Sequence, residues 1–115
     1  IIRTDSELKE ALGKLEEYKE RANRTSVEGN MQYNPGWHLA MDLRSLLTVS
    51  EAITIAAIQR TESRGAHTRD DHPKTDPEWG QWNNAIRQKP DGSMEIEKTP
   101  LPEMPAELAA LMEAN

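Results

Sequence analysis

The 115 residues carry 20 acidic and 14 basic side chains, a net charge of −6, with no cysteine and no phenylalanine. That balance excludes a nucleic-acid binder built on a basic stripe, and the missing thiols exclude disulfides and thiolate metal sites and fit a reducing compartment. Hydrophobic residues make up only 36%, a thin core for one small domain, so part of the chain is expected to order against another surface or to stay disordered. No apolar run reaches the roughly 18 residues of a membrane span, and no signal or transit peptide is visible. Ile1 opens in mid-pattern, as the start of a piece of a longer protein would.

Thr4-Asp5-Ser6-Glu7 is a capping box, a hydroxyl followed three residues later by a glutamate. Behind it Leu8, Ala11, Leu12, Leu15, Tyr18 and Ala22 recur at helical spacing, which predicts a helix over 5–23. Glu10/Lys14, Glu17/Arg21 and Glu20/Arg24 are spaced for i,i+4 pairs on its solvated side. Asn23-Arg24-Thr25 matches a glycosylation acceptor, read here as a chance match in a chain with no export signal. A polar stretch through Gly29 leads to Asn34-Pro35, a second helix start with proline at its first position. Leu39, Leu43, Leu46, Ser50, Ile53 and Ala57 then mark one stripe. No glycine or proline interrupts 37–64, so one helix over 35–64 is expected, about 40 Å long, stopped by Gly65.

After Gly65 the periodicity ends. The stretch 66–84 is polar, with two prolines and two tryptophans. Residues 85–97 predict a β-hairpin, with Ile86, Met94 and Ile96 on one face and Asp91-Gly92 in the turn. Three prolines make 99–105 extended, and 105–114 returns to a helical pattern through Leu108, Leu111 and Met112. The organisation expected is a helical portion over 1–65, an extended or irregular segment over 66–104 with its hairpin near 85–97, and a short helix or disordered tail over 105–115. Two apolar helices cannot enclose a core between them and need a third partner. The last helix is expected to cover their stripe in part, and self-association as a dimer the rest.

The densest run of functional side chains is Thr61 to Pro73. His67, Asp70, Asp71 and His72 are all metal-ligand types, but Gly65 and Pro73 bracket a non-helical stretch, so the spacing that would bring two imidazoles to one metal is absent. A general acid/base role for His67 lacks an accompanying nucleophile or oxyanion loop. An ion-paired anchor built on the arginines and carboxylates is the favoured reading. Arg64, His67, Arg69, Asp71, Trp79 and Trp82 are the expected docking residues, the two tryptophans because an acidic, irregular segment should not bury them locally.

Glu62-Ser63-Arg64-Gly65-Ala66-His67, followed by Arg69, Asp71 and Pro73, resembles the C-terminal domain of the succinate dehydrogenase/fumarate reductase flavoprotein family. Asn34-Pro35-Gly36-Trp37-His38-Leu39-Ala40-Met41-Asp42-Leu43-Arg44 resembles the start of that domain's long helix, and Asp91-Gly92 its final hairpin. The resemblance implies a mainly α fold: two long antiparallel helices of a spectrin-like three-helix bundle, then an irregular tail with a small hairpin. It places the first bundle helix, the FAD site and the substrate residues upstream of Ile1, so this chain is expected to hold no cofactor and to be inactive alone. The implied parent oxidises succinate through FAD, passes electrons to an iron–sulfur subunit, and sits peripherally on the cytoplasmic face of the membrane. Two rivals remain: a free-standing helical adaptor, and the same module of an L-aspartate oxidase-like flavoenzyme. Ala66-His67-Thr68-Arg69 leans towards succinate dehydrogenase.

Overall fold

The capping box starts the first helix. In the computed structural model, which describes residues 2–113, Thr4 Oγ1 accepts from Glu7 N and the Glu7 carboxylate accepts from Thr4 N at 3.1 Å. The helix they open, α1, spans Asp5–Ala22. Of the three spaced pairs on its outer side, Glu10–Lys14 closes at 2.5 Å. Glu17/Arg21 and Glu20/Arg24 do not close, and Arg21 lies over the Tyr18 ring instead.

The loop to the second helix is held from one residue. Asn34 Nδ2 donates to Glu28 O at 2.8 Å and Asn30 O at 3.0 Å, while its Oδ1 accepts from Gly36 N at 3.1 Å. The last of these caps α2, Pro35–Gln59, whose proline stands at the first position. Within the loop Tyr33 adopts a φ of 58°, uncommon for a side chain of its size. The two helices run antiparallel: Lys19 pairs with Glu51, and Leu8, Ala22, Leu47, Thr54 and Ala57 are buried.

The far end of α2 departs from expectation. The helix stops at Gln59 rather than Arg64, and Arg60 turns extended at φ −80°, ψ 99°. Gly65 does adopt a left-handed φ of 56°, but in a tight turn where Arg64 N donates to His67 O at 2.9 Å and His67 N to Arg64 O at 3.0 Å. The polar stretch after it is not irregular throughout. Thr68–Arg69 forms β2, which pairs in parallel with β1, Ile2–Arg3. A 3₁₀ turn at Glu78–Gln81 leads into β3, Trp82–Gln88, which pairs antiparallel with β4, Met94–Pro100. This hairpin is three residues longer at each end than the pattern suggested. Ile86 faces Ile96 and Gln88 faces Met94 across it, so the three expected apolar residues do share a face. Pro90 and Asp91 make the turn, and Gly92 follows at φ 86°, as a three-residue hairpin loop requires.

Among the described residues the chain is mainly helical, with three α-helices, one two-stranded antiparallel sheet and one short parallel pair. The third helix, α3, covers Ala106–Glu113; Ala114 and Asn115, also part of the expected tail, lie outside the described residues. Met112 is 73% exposed and Leu108 half exposed. The expected cover for α2 is therefore not formed: Leu39, Leu46, Val49 and Ile53 stay open, Leu46 at 62%. Globally the molecule is long, 62 × 35 × 29 Å, with a radius of gyration of 19.3 Å where a compact domain of this length has about 13 Å. Its accessible surface is 9043 Å², against about 6,300 Å² for a compact monomer of the same mass.

Candidate functional site

A helix end leaves carbonyls without donors, and at the end of α2 they are met by side chains from far along the chain. Arg60 N makes the last helical bond, to Ala56 O, at 3.1 Å. Arg69 Nη1 then donates to Ala57 O at 2.8 Å and Ile58 O at 3.4 Å, and Asn84 Nδ2 to Ala56 O at 3.3 Å. His67 Nε2 lies 3.1 Å from Arg60 O. These donors, rather than a local glycine, decide where the helix stops.

Arg69 is only 1% exposed, and its charge is answered in the same place. Its Nε and Nη2 fork onto the two oxygens of Asp71 at 2.7 and 2.6 Å. Asp71 Oδ2 in turn accepts from Asp5 N, at the start of α1, at 2.9 Å. The arginine therefore sits at the negative end of α2 and the aspartate at the positive end of α1, the favoured sign at each dipole. The parallel pairing of β1 and β2 carries the register, with Asp70 N donating to Arg3 O at 3.0 Å. The guanidinium holds Asp71 well below the usual carboxylate range, burial opposing it and the Asp5 N–H adding to it.

Glu62 is the second centre, with 0% exposure. Burial pushes its carboxyl up, but Arg64, the Asp76 N–H and Arg60 together outweigh that and bring it down to about 2. The bonds are Arg60 Nη1 at 2.5 Å and Arg64 Nε at 2.8 Å on Oε1, and Asp76 N at 2.8 Å on Oε2. Between the two centres Ser63 Oγ accepts from Arg69 N at 2.9 Å and donates to His72 O at 2.8 Å. Both carboxylates are thus fixed as acceptors, and the run 60–76 forms a charged cage closing the open end of the helical hairpin.

The docking residues named from the sequence fall into two groups. Arg64, His67, Arg69 and Asp71 belong to this cage. Trp79 corrects the expectation: it is 5% exposed, buried within its own chain under Arg60 and Lys98, with Nε1 donating to Thr61 Oγ1 at 3.2 Å. The acidic segment hides it because those two cations come from elsewhere in the chain. Trp82 is half-buried and its Nε1 has no acceptor among the described residues. Of the metal-ligand types, His67 faces Arg3 and Arg60, Asp71 faces Arg69, and His72 lies 4.0 Å from Asp71. Among the described residues no group of three such side chains converges. The expected docking set left out Arg3, Asp5, Arg60 and Glu62, although Glu62 opens the motif that carries the resemblance. Arg60, Glu62 and Arg64 alternate, a spacing that puts them on one side of an extended strand, but the expected helix hid that signal.

A family model described as the fumarate reductase flavoprotein C-terminus matches residues 1–111. The chain belongs to this family. The fumarate reductase flavoprotein subunit of Helicobacter pylori is 39% identical over 73% of the chain, and the succinate dehydrogenase flavoprotein subunit of Coxiella burnetii 35% over 66%. Among solved structures, Mycobacterium smegmatis Sdh1 in complex with UQ1 superposes with a TM-score of 0.87 and 42% identity over 98% of the chain. The chain spans 12% and 13% of the two curated relatives and 20% of the Sdh1 chain. Its charged cage is thus a feature of a flavoprotein C-terminal domain.

Proposed function

We propose that the chain is the C-terminal structural and docking module of a succinate dehydrogenase or fumarate reductase flavoprotein subunit. The observation that carries this is the cage itself, in which Glu62, Arg69 and Asp71 are committed to bonds that shape a surface. In the parent, FAD accepts hydride from succinate, or returns it to fumarate, and an iron–sulfur subunit takes the electrons. The module contributes no group to that chemistry. Arg64 and Trp82, at the edge of the cage, meet the flavin and capping domains, while Arg69, Asp71 and Trp79 hold the meeting surface in shape.

The bare face of α2 supports a third bundle helix supplied by the rest of the subunit, which would complete a spectrin-like bundle. Alone, the chain covers that face with a second copy. No helix among the described residues is long and apolar enough to cross a membrane, consistent with a parent held peripherally on the inner face through its partners. The test is to coexpress the chain with the upstream remainder of such a subunit. Reconstitution should restore succinate-dependent dye reduction and flavin retention, while the chain alone stays colourless. Stoichiometric flavin absorbance in the isolated chain would refute the reading.

A further inference from the structure

Beside the cage, Arg3 is a half-buried cation without a counter-ion among the described residues. Arg60 and Arg64 share Glu62, and Arg69 has Asp71, but among the described residues Arg3 meets no carboxylate. Its one side-chain bond runs from Nη1 to His67 Nδ1, at 3.2 Å. A guanidinium only donates, so Nδ1 presents its lone pair, and the proton sits on Nε2, facing Arg60 O. The imidazole thus accepts from the arginine but brings no negative charge to it. The half-buried guanidinium borders an open cavity of about 380 Å³ whose other walls include Ile53, Ala56, Ala57 and Ala66. Ile53 is also the last member of the bare α2 stripe, so the cavity continues that face.

We propose that this cavity receives an aspartate or glutamate side chain, flanked by apolar groups, from the flavin-bearing portion of the same subunit. The inference rests on the docking role above and names the chemistry at one point of that surface. Charge decides the class: the chain carries −6 overall, yet this spot offers unused guanidinium donors beside small apolar walls. A carboxylate forks onto such an edge with charge-assisted bonds, and the alanines let a neighbouring backbone approach.

The site can be probed on this chain without its partner, at a concentration where sedimentation equilibrium shows the monomer, using sodium butyrate followed by the Arg3 Nε–Hε and Ala56, Ala57 and Ala66 methyl resonances. Saturable, millimolar shifts are expected, at least about tenfold weaker with butyramide, as the loss of a charge-assisted bond implies. Acetate should bind about threefold more weakly than butyrate, because two methylenes gain only partial burial. Arg3→Gln should abolish the shifts while leaving the remaining amide spectrum in place. Equal binding of butyramide, tighter binding of inorganic phosphate than of butyrate, or undiminished shifts in Arg3→Gln would each overturn the proposal. A negative titration removes the receptor and leaves the flavoprotein reading standing. Failed reconstitution alongside a positive titration does the reverse.

Discussion

Replacing Arg69 by methionine keeps a long apolar stem and removes the guanidinium donors from the centre of the cage. The change strips Asp71 of its bidentate partner and leaves Ala57 O and Ile58 O without the guanidinium. The pair is buried only on its arginine side, so the cost of about 3–5 kcal/mol for breaking a fully buried pair is an upper bound. Asp71 keeps its bond from Asp5 N and its side chain is 29% exposed, so water can partly take over. That places the loss near the lower end, about 3 kcal/mol, of which the two carbonyls account for about 1–2 kcal/mol. Against a total stability of about 5–15 kcal/mol for a domain, this is a large fraction. Urea unfolding followed by helical circular dichroism measures it, with Arg69→Lys as a milder variant that keeps the charge and loses the fork. Asp71→Leu completes a double-mutant cycle, and the pair should recover at least about 1.5 kcal/mol relative to additivity, since the stranded carboxylate is gone. A loss below about 1 kcal/mol for Arg69→Met, or strictly additive effects, would show that the cage does not hold the helix ends together.

Glu62 makes the stability depend on pH with a definite sign. Its folded carboxyl titrates at about 2 against 4.5 when free, so its contribution is full above pH 4.5 and fades as the pH falls towards 2; Glu62→Gln should flatten an acid-unfolding profile in that window. Gly65→Ala should cost about 1–2 kcal/mol through its left-handed φ alone, because an added methyl meets nothing within 4 Å. Gly13→Ala, equally open but inside α1, should instead raise the thermal midpoint, gaining about 0.5–1 kcal/mol. On the bare stripe, Leu46→Lys with Ile53→Lys should weaken self-association in sedimentation equilibrium; a strictly monomeric parent chain across a hundredfold concentration range would remove the argument for a second copy.

The starts of the helices were legible because their signals are local: Thr4 with Glu7, and Asn34 with Pro35, each sit within four residues of what they cap. The end of α2 was not. Its carbonyls are met by Arg69, His67 and Asn84, and no window on the helix contains them. The β1–β2 pairing escaped for the same reason, since two residues are too few to show an alternation. The hairpin was visible through Ile86, Ile96 and Asp91-Gly92, but its outer residues, Trp82 to Asn84 opposite Lys98 to Pro100, mix aromatic, amide and proline side chains without a period. Trp79 was misjudged because acidic neighbours in sequence say nothing about Arg60 and Lys98 in space. The motif Glu62–His67 was recognisable as a resemblance before its physical purpose was apparent.

The Arg69–Asp71 clasp also orders events in time. The Asp5–Asp71 bond joins residues 66 apart, and closing a flexible loop that long costs about 1.7 kcal/mol more than closing one of ten residues. Once α1 and α2 have paired through their short connection, the span left to close is mainly the stretch after Gln59. The clasp should therefore form after the helical hairpin, as a late step on the native side of the barrier. Substitutions at Arg69 or Asp71 would then accelerate unfolding and leave the refolding rate nearly unchanged, so the cage governs how long the folded module persists rather than how quickly it is made.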